Sequence, residues 1–383
     1  MRRGSWLIFL VVVIFLTSCG SSSQTADNGE GNSGTDEGTG DDLPACGSQN
    51  TFFTASPLEA SAFSSITPLG NLNPSAHTFP TDHTYLMLTD KTQSVSVYAP
   101  GDLTITKVID YSNNYSVTFY SCAEIYGYYD HMTTLVESIT SQFNSANACP
   151  SLGPSTATTY CPSIQVKAGD QIGSIGGPNA DGSAALDFGA RDTRLAKTSF
   201  INMDGAVNSQ YVVCPYDYYV SGSVKDGLVD KLKSVRTTEP FCGTVALDVT
   251  NTAQGRWYLA GSSASSSDES QHLALVPSNF DPNVKVLSVG NSTVGTGASH
   301  FDPLSSGLIR RSFADITNDG NTACFDSLRN TASAVTGTAL SGRFFLKMTS
   351  NTALKLEKDA SSSSCPSDPN TWSFTSSAVN FER

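Results

Sequence analysis

The sequence predicts a mainly β protein, and three observations carry that reading. Only 15% of its 383 residues are charged. The chain is rich in Ser, Thr, Tyr, Asn and Gly, a composition of strands and turns rather than helices. Apolar and polar residues alternate in many short runs bounded by Gly, Pro and Asn, while a helical period shows in only two stretches. The length suits two domains or one large one, with ample chain for a packed core. With 22 Lys+Arg against 35 Asp+Glu, the net charge of −13 excludes a nucleic-acid backbone as main partner, because no basic surplus displaces counterions.

The first segment, 1–18, reads as an export signal. Arg2 and Arg3 precede an apolar run from Trp6 to Leu16, too short for the ~20 residues that a helix needs to cross a bilayer. The ending Leu16-Thr17-Ser18-Cys19 resembles the lipobox of bacterial lipoproteins, which implies a diacylated Cys19 as the mature N-terminus and the membrane as a partner through that anchor. Gly20 rather than Asp follows the Cys, which the resemblance associates with the outer membrane of a two-membrane bacterium. The next segment, 19–50, reads as a lipidated, disordered tether. Residues 20–44 hold six Gly, six acidic residues and no Lys, Arg or aromatic, too little apolar surface to offset ordering entropy.

Eight further cysteines remain: Cys46, Cys122, Cys149, Cys161, Cys214, Cys242, Cys324 and Cys365. An even count in an exported chain points to disulfides, and no C-x-x-C pair suggests a metal or redox site. Proximity pairs Cys149 with Cys161, Cys214 with Cys242 and Cys324 with Cys365, leaving Cys46 with Cys122. Eight cysteines allow about 105 connectivities, so spacing alone leaves the pairing open.

Past a Pro-rich stretch at 51–80, strands are expected at 84–88, 94–98, 104–110 and 115–120. The apolar spacing of Met132, Leu135, Val136, Ile139 and Phe143 predicts a helix over 131–143. Strands follow at 164–167, 171–175, 185–190 and 211–220, then a short amphipathic helix at 228–235. A domain boundary is expected near Glu239-Pro240, giving a first folded unit of 51–240 and a second of 241–383. The second shows strand patterns at 244–249, 255–258, 272–276, 284–289, 307–313, 342–348 and 353–357, as an antiparallel barrel or sandwich requires. It presents no constellation of nucleophile, base and acid.

The chemistry concentrates in the first unit. His77 and His83 flank Asp82 within Ala76-His77-Thr78-Phe79-Pro80-Thr81-Asp82-His83, a short segment able to supply two metal ligands. Four motifs follow in order. They are Val97-Tyr98-Ala99-Pro100-Gly101-Asp102-Leu103-Thr104, then Tyr128-Tyr129-Asp130-His131-Met132, then Val166-Lys167-Ala168-Gly169-Asp170-Gln171-Ile172-Gly173-Ser174-Ile175-Gly176, and last Ala185-Leu186-Asp187-Phe188-Gly189-Ala190-Arg191. Their order and spacing resemble the lysostaphin-type (LytM-like) peptidoglycan endopeptidase domain, over about a third of the chain. The resemblance implies an antiparallel sheet domain like a duplicated hybrid motif, a zinc cofactor, and peptidoglycan or an envelope protein as partner in the bacterial cell envelope. The two Gly-Asp hairpins are also similar to barrel-sandwich hybrid domains, but no Met-Lys-Met carrier site occurs.

The family binds zinc through an H-x-x-x-D element and the second His of H-x-H, while the first His of H-x-H and the His after the Tyr assist catalysis. Carried across, this makes His77, Asp82, His83 and Asp187 the candidate metal ligands and His131 the candidate catalytic residue. The departures are plain. The H-x-H positions hold Ala185 and Asp187, His77 and Asp82 are one residue too far apart, and Met87 stands four residues after His83. Two carboxylates on zinc weaken its Lewis acidity, so altered or lost peptidase activity is the expectation, with a non-catalytic binding or adaptor module as the alternative. An alternative disposition of the residues pairs Asp187 with Arg191 or Arg194 at a strand edge and leaves His83 on the surface.

Overall fold

The computed structural model describes residues 42–112, 114–144, 149 and 157–383. Cys19, the export segment and most of the tether lie outside the described residues. No helix among the described residues is long and apolar enough to cross a membrane.

The protein is mainly β, with two antiparallel sheets. The first contains β1 (Phe63–Thr67), β2 (His83–Leu88), β3 (Ser94–Tyr98), β4 (Leu103–Asp110), β5 (Tyr115–Cys122), β6 (Ile125–Leu135), β7 (Thr158–Tyr160), β8 (Ile164–Val166), β9 (Gln171–Gly176) and β10 (Ala185–Asp192). Its main path runs β1-β2-β10-β6-β5-β4-β7, with β3 paired to β9, β9 to β6, and β8 to β4. The last strand in sequence therefore lies at the centre, between β2 and β6. All eight of its residues are buried. Leu186, Phe188 and Ala190 face the core, where Phe188 meets Phe53, Phe119, Tyr129 and Tyr216. Period-2 alternation sends Asp187, Gly189 and Arg191 to the other face.

The second sheet contains β11 (Gly255–Leu259), β12 (His272–Pro277), β13 (Lys285–Val289), β14 (Gly297–Phe301), β15 (Ala323–Phe325), β16 (Arg343–Ser350), β17 (Ala353–Asp359) and β18 (Val379–Glu382). They run in the order β14-β13-β12-β11-β18-β17-β16-β15. Trp257, Phe301, Phe313, Phe325, Phe344 and Phe381 fill its core.

Four expectations are corrected. The helix expected over 131–143 is mostly strand: β6 runs on to Leu135, and only α1 (Glu137–Thr140) is helical. The apolar period arises because β6 carries two bulges: against β9, Met132 pairs with Ile175 but Thr134 with Ser174, so Met132 and Leu135 stand three residues apart. The other bulge lies ahead of Met132. Tyr115 pairs with Met132 and Val117 with Tyr129, so one residue of β5 opposes two of β6. The stretch 211–220 forms a 3-10 turn at Pro215–Tyr218, as Pro215 at its first position favours. The stretch 244–249 joins no sheet. The Asp248 carboxylate accepts instead from the backbone N–H groups of Ile201 and Arg256. The stretch 307–313 forms only isolated bridges, Ile309 to Cys324 and Arg311 to Leu304. The second expected helix is α2 (Ser223–Lys233), which buries Leu228 and Leu232.

Cys46–Cys122, Cys149–Cys161, Cys214–Cys242 and Cys324–Cys365 are bonded, the pairing that proximity suggests.

Candidate functional site

Three neighbouring strands set the site by register. On β2 and β10, His83 opposes Gly189 and Tyr85 opposes Asp187. On β10 and β6, Gly189 opposes Tyr128 and Asp187 opposes Asp130. One sheet face thus holds His83, Tyr85, Asp187, Arg191, Tyr128 and Asp130. Strict alternation would turn His131 away from it. The bulge of β6 against β5 and the left-handed backbone at His131 (φ 66°) return its side chain to Asp187.

Asp82, just before β2, is fully engaged. Its Oδ2 accepts from Arg191 Nη2. Its Oδ1 accepts from the Tyr128 hydroxyl at 2.7 Å and lies 2.9 Å from His83 Nδ1. Arg191 also donates through Nε to the Asn208 carbonyl at 2.9 Å and lies across the Tyr128 ring. Burial opposes the Asp82 charge, but Arg191 and His83 outweigh it and hold the carboxyl well below its usual range. Gly189 makes the arrangement possible. A Cβ there would lie 2.2 Å from Tyr128 Cε1, so only a glycine lets the tyrosine ring cross β10 to reach Asp82.

The second half of the site is a chain of ions. His83 Nε2 lies 3.1 Å from Asp187 Oδ2, which in turn lies 3.5 Å from His131 Nε2. The Nε2 contact with Asp187 is close yet misaligned: neither it nor Asp187 Oδ1 has a formed hydrogen bond. His131 Nδ1 lies 2.7 Å from Asp181 Oδ2. Burial opposes charge on His83, but Tyr128, Tyr85 and Asp187 hold its pKa well above 6.5. Burial likewise opposes charge on His131, and the bond to Asp181, with Asp187 and Asp130, raises it to about 9. Burial pushes Asp130 up. The His77 ring stands edge-on to that of His83, centroids 5.6 Å apart, and burial followed by the charge of His83 lowers its pKa.

All five residues singled out in the sequence therefore meet on one face. His83 and Asp187 are buried, with 6% and 3% exposure, so the strand-edge alternative does not hold. Arg191 takes Asp82, and Arg194 takes Asp192. Tyr128, Asp181 and Arg191 complete the site and were not singled out as site residues. Tyr128 and Arg191 stand inside the quoted motifs, and the period-2 step from Asp187 to Arg191 was the available signal.

The donor set fits zinc poorly. The separations of His83 and His131 from Asp187 suit pairs of zinc ligands, each at about 2.0–2.2 Å from a metal. Yet they close no triangle. Among the described residues, only Cys46, Cys122 and Glu124 bring three donor atoms within 4.8 Å of one another, and the two cysteines are bonded together. Met87 and Ala185 offer no ligand, and Asp82 is spent on Arg191 and Tyr128.

No protein-family model and no curated protein matches the chain. Among solved structures, Helicobacter pylori Csd3 from the hexagonal crystal aligns over 48% of this chain, at 12% identity and a TM-score of 0.25. The chain spans 40% of the length of that protein. A likeness at this level says nothing about activity.

Proposed function

We propose that this chain is an exported, lipid-anchored protein of the bacterial cell envelope. Its first sheet is a divergent lysostaphin-type domain that binds wall peptide or an envelope partner without cutting it. One observation carries the binding reading: the Asp82 carboxylate is consumed by Arg191 and Tyr128, and the remaining candidate donors form an ion chain instead of a metal cage. The sequence order of motifs supports the domain type, and the lipobox-like Leu16-Thr17-Ser18-Cys19 supports the anchor. The ion chain is most open at His131 and Asp181, whose side chains are 28% and 14% exposed, and such a charge pair can meet carboxylate and ammonium groups of a peptide.

The test uses the purified mature chain. Metal content is measured by mass spectrometry, then sedimentation with purified peptidoglycan and release of soluble peptide are followed. Sedimentation with the wall, no stoichiometric zinc and no released peptide is the expected result. One zinc per chain with peptide release would establish the enzyme instead. Cys19→Ala is expected to free the protein from membranes, because each buried acyl CH₂ contributes ~0.8 kcal/mol. A variant that stays with membranes after a high-salt wash would overturn the anchor.

A further inference from the structure

The second domain reaches the site through one loop. Thr78, next to His77, is held on both sides of its peptide. Its N–H donates to Glu269 Oε2 at 2.6 Å, and its carbonyl accepts from the Ser288 hydroxyl at 2.7 Å. Glu269 lies in the 3-10 turn just before β12 and Ser288 in β13, so both belong to the second domain. Phe79 then stacks on His272 with centroids 4.2 Å apart, and the Arg256 guanidinium covers the same ring at 5.2 Å. Gly290 makes room for the close approach: a Cβ there would lie 1.7 Å from the Glu269 carbonyl and 2.7 Å from Thr78 Oγ1. On its other side the loop lays the His77 ring against His83.

We propose that Glu269 is a positioning residue for the candidate site: by clamping Thr78 it fixes His77 against His83, so that the second domain and the binding face move as one. Glu269 touches no residue of the ion chain. Its Oε2 holds the Thr78 amide and lies 3.6 Å from His272 Nδ1, whose ring stacks on Phe79, so its effect reaches His77 through this one loop, and a bond to an ionised acceptor is among the stronger hydrogen bonds available. The link to ligand affinity rests on the binding face proposed above, whereas the contact between the two rings does not.

The experiment compares the full mature chain with Glu269→Ala, Glu269→Gln and Asp268→Ala. Asp268 is the control, because its carboxylate caps the same turn through Ser270 and Gln271 without touching Thr78. Two readouts follow the clamp: hydrogen exchange at the Thr78 amide, and the proton cross-peak between the His77 and His83 rings. Peptidoglycan sedimentation follows its consequence. Glu269→Ala is expected to speed Thr78 exchange about tenfold or more, the loss of a bond of ~1.4 kcal/mol or above, to erase the cross-peak and to weaken sedimentation. Glu269→Gln keeps an acceptor oxygen and is expected to retain all three. Should Glu269→Ala not fold, Glu269→Asp, whose carboxylate stops one methylene short of the Thr78 amide, takes its place. Unchanged exchange and cross-peak, or the same changes in Asp268→Ala, would overturn the proposal. So would a lost ring contact with unaltered sedimentation, which leaves a clamp of no consequence for binding. Failure of every protein to sediment would count against the binding face alone, and the two ring readouts would still decide the clamp.

Discussion

Arg191 holds the carboxylate of Asp82 from a position 109 residues further along the chain. Both side chains are buried, so each neutralises a charge that water cannot reach. Arg191→Ala is expected to destabilise the first domain by about 3–5 kcal/mol, since it strands a buried carboxylate. Replacing both partners, by Arg191→Met with Asp82→Leu, is expected to cost much less than Arg191→Ala alone. Urea unfolding of Arg191→Ala and of the double variant, each against the native chain, measures this. Equal losses in both would show that the pair is not coupled.

The Tyr128 ring depends on an empty place at Gly189. Gly189→Ala is expected to cost about 1–3 kcal/mol by overpacking and to pull the Tyr128 hydroxyl off Asp82. Tyr128→Phe separates the two effects, removing the hydroxyl without crowding, and loses about 1.5–3 kcal/mol for a bond to a charged acceptor. Denaturation midpoints decide the sizes. An alanine tolerated without change at 189 would mean that the ring does not cross the strand there.

The His131–Asp181 pair imposes a pH window. His131 titrates at about 9 against an ordinary 6.5, so its contribution is complete below pH 6.5 and lost as pH rises through 9. Asp181 titrates at about 2 against 3.8, so its contribution is complete above pH 3.8 and lost as pH falls through 2. The stability difference between the native chain and His131→Ala is expected to be largest from pH 3.8 to 6.5 and to shrink towards pH 9. A difference that stays flat across that range would mean that His131 carries no fixed charge.

Thiol titration of the mature, unfolded and unreduced protein is expected to find none of the eight cysteines free. Loss of the Cys46–Cys122 bond, which closes a separation of 76 residues, is expected to cost about 4 kcal/mol, more than loss of the 12-residue Cys149–Cys161 link at about 3. Two or more reactive thiols would break the framework.

The sequence made the strands legible where alternation is strict, and β3 occupies the residues read from it, 94–98. It misled where one residue interrupts the period. The bulge at Thr133, against β9, sets Met132 and Leu135 three residues apart and imitates a helix. The run Val245, Leu247, Val249 imitates a strand, although the Asp248 side chain does the bonding that a ladder would do. Within the site, the five marked residues do converge, because motif order fixes which strands become neighbours. The partners of Asp82 were hidden for a different reason. Tyr128 reaches Asp82 across Gly189, which is empty space in the fold and an unremarkable letter in the sequence, and Arg191 joins them from 109 residues away.

The Cys46–Cys122 bond also fixes how the protein answers to pulling. Tension on the chain ahead of Cys46 passes through a covalent link to Cys122 at the end of β5, and the Cys46 N–H is also bonded to Glu124 in the turn that follows. It then runs along β6, which starts at Ile125 and reaches Tyr128 and His131 within about 10 and 20 Å at ~3.3 Å per residue. The stretch from Gly47 to β1 is bypassed, and so is the sheet edge it leads to. A load between whatever holds the N-terminal side and whatever sits on the His83 face is therefore carried by one interior strand, hydrogen-bonded to β5 and β10 on its two sides. Such a strand must shear rather than peel, so a pull along this line meets more resistance than one that unzips the sheet from its edge.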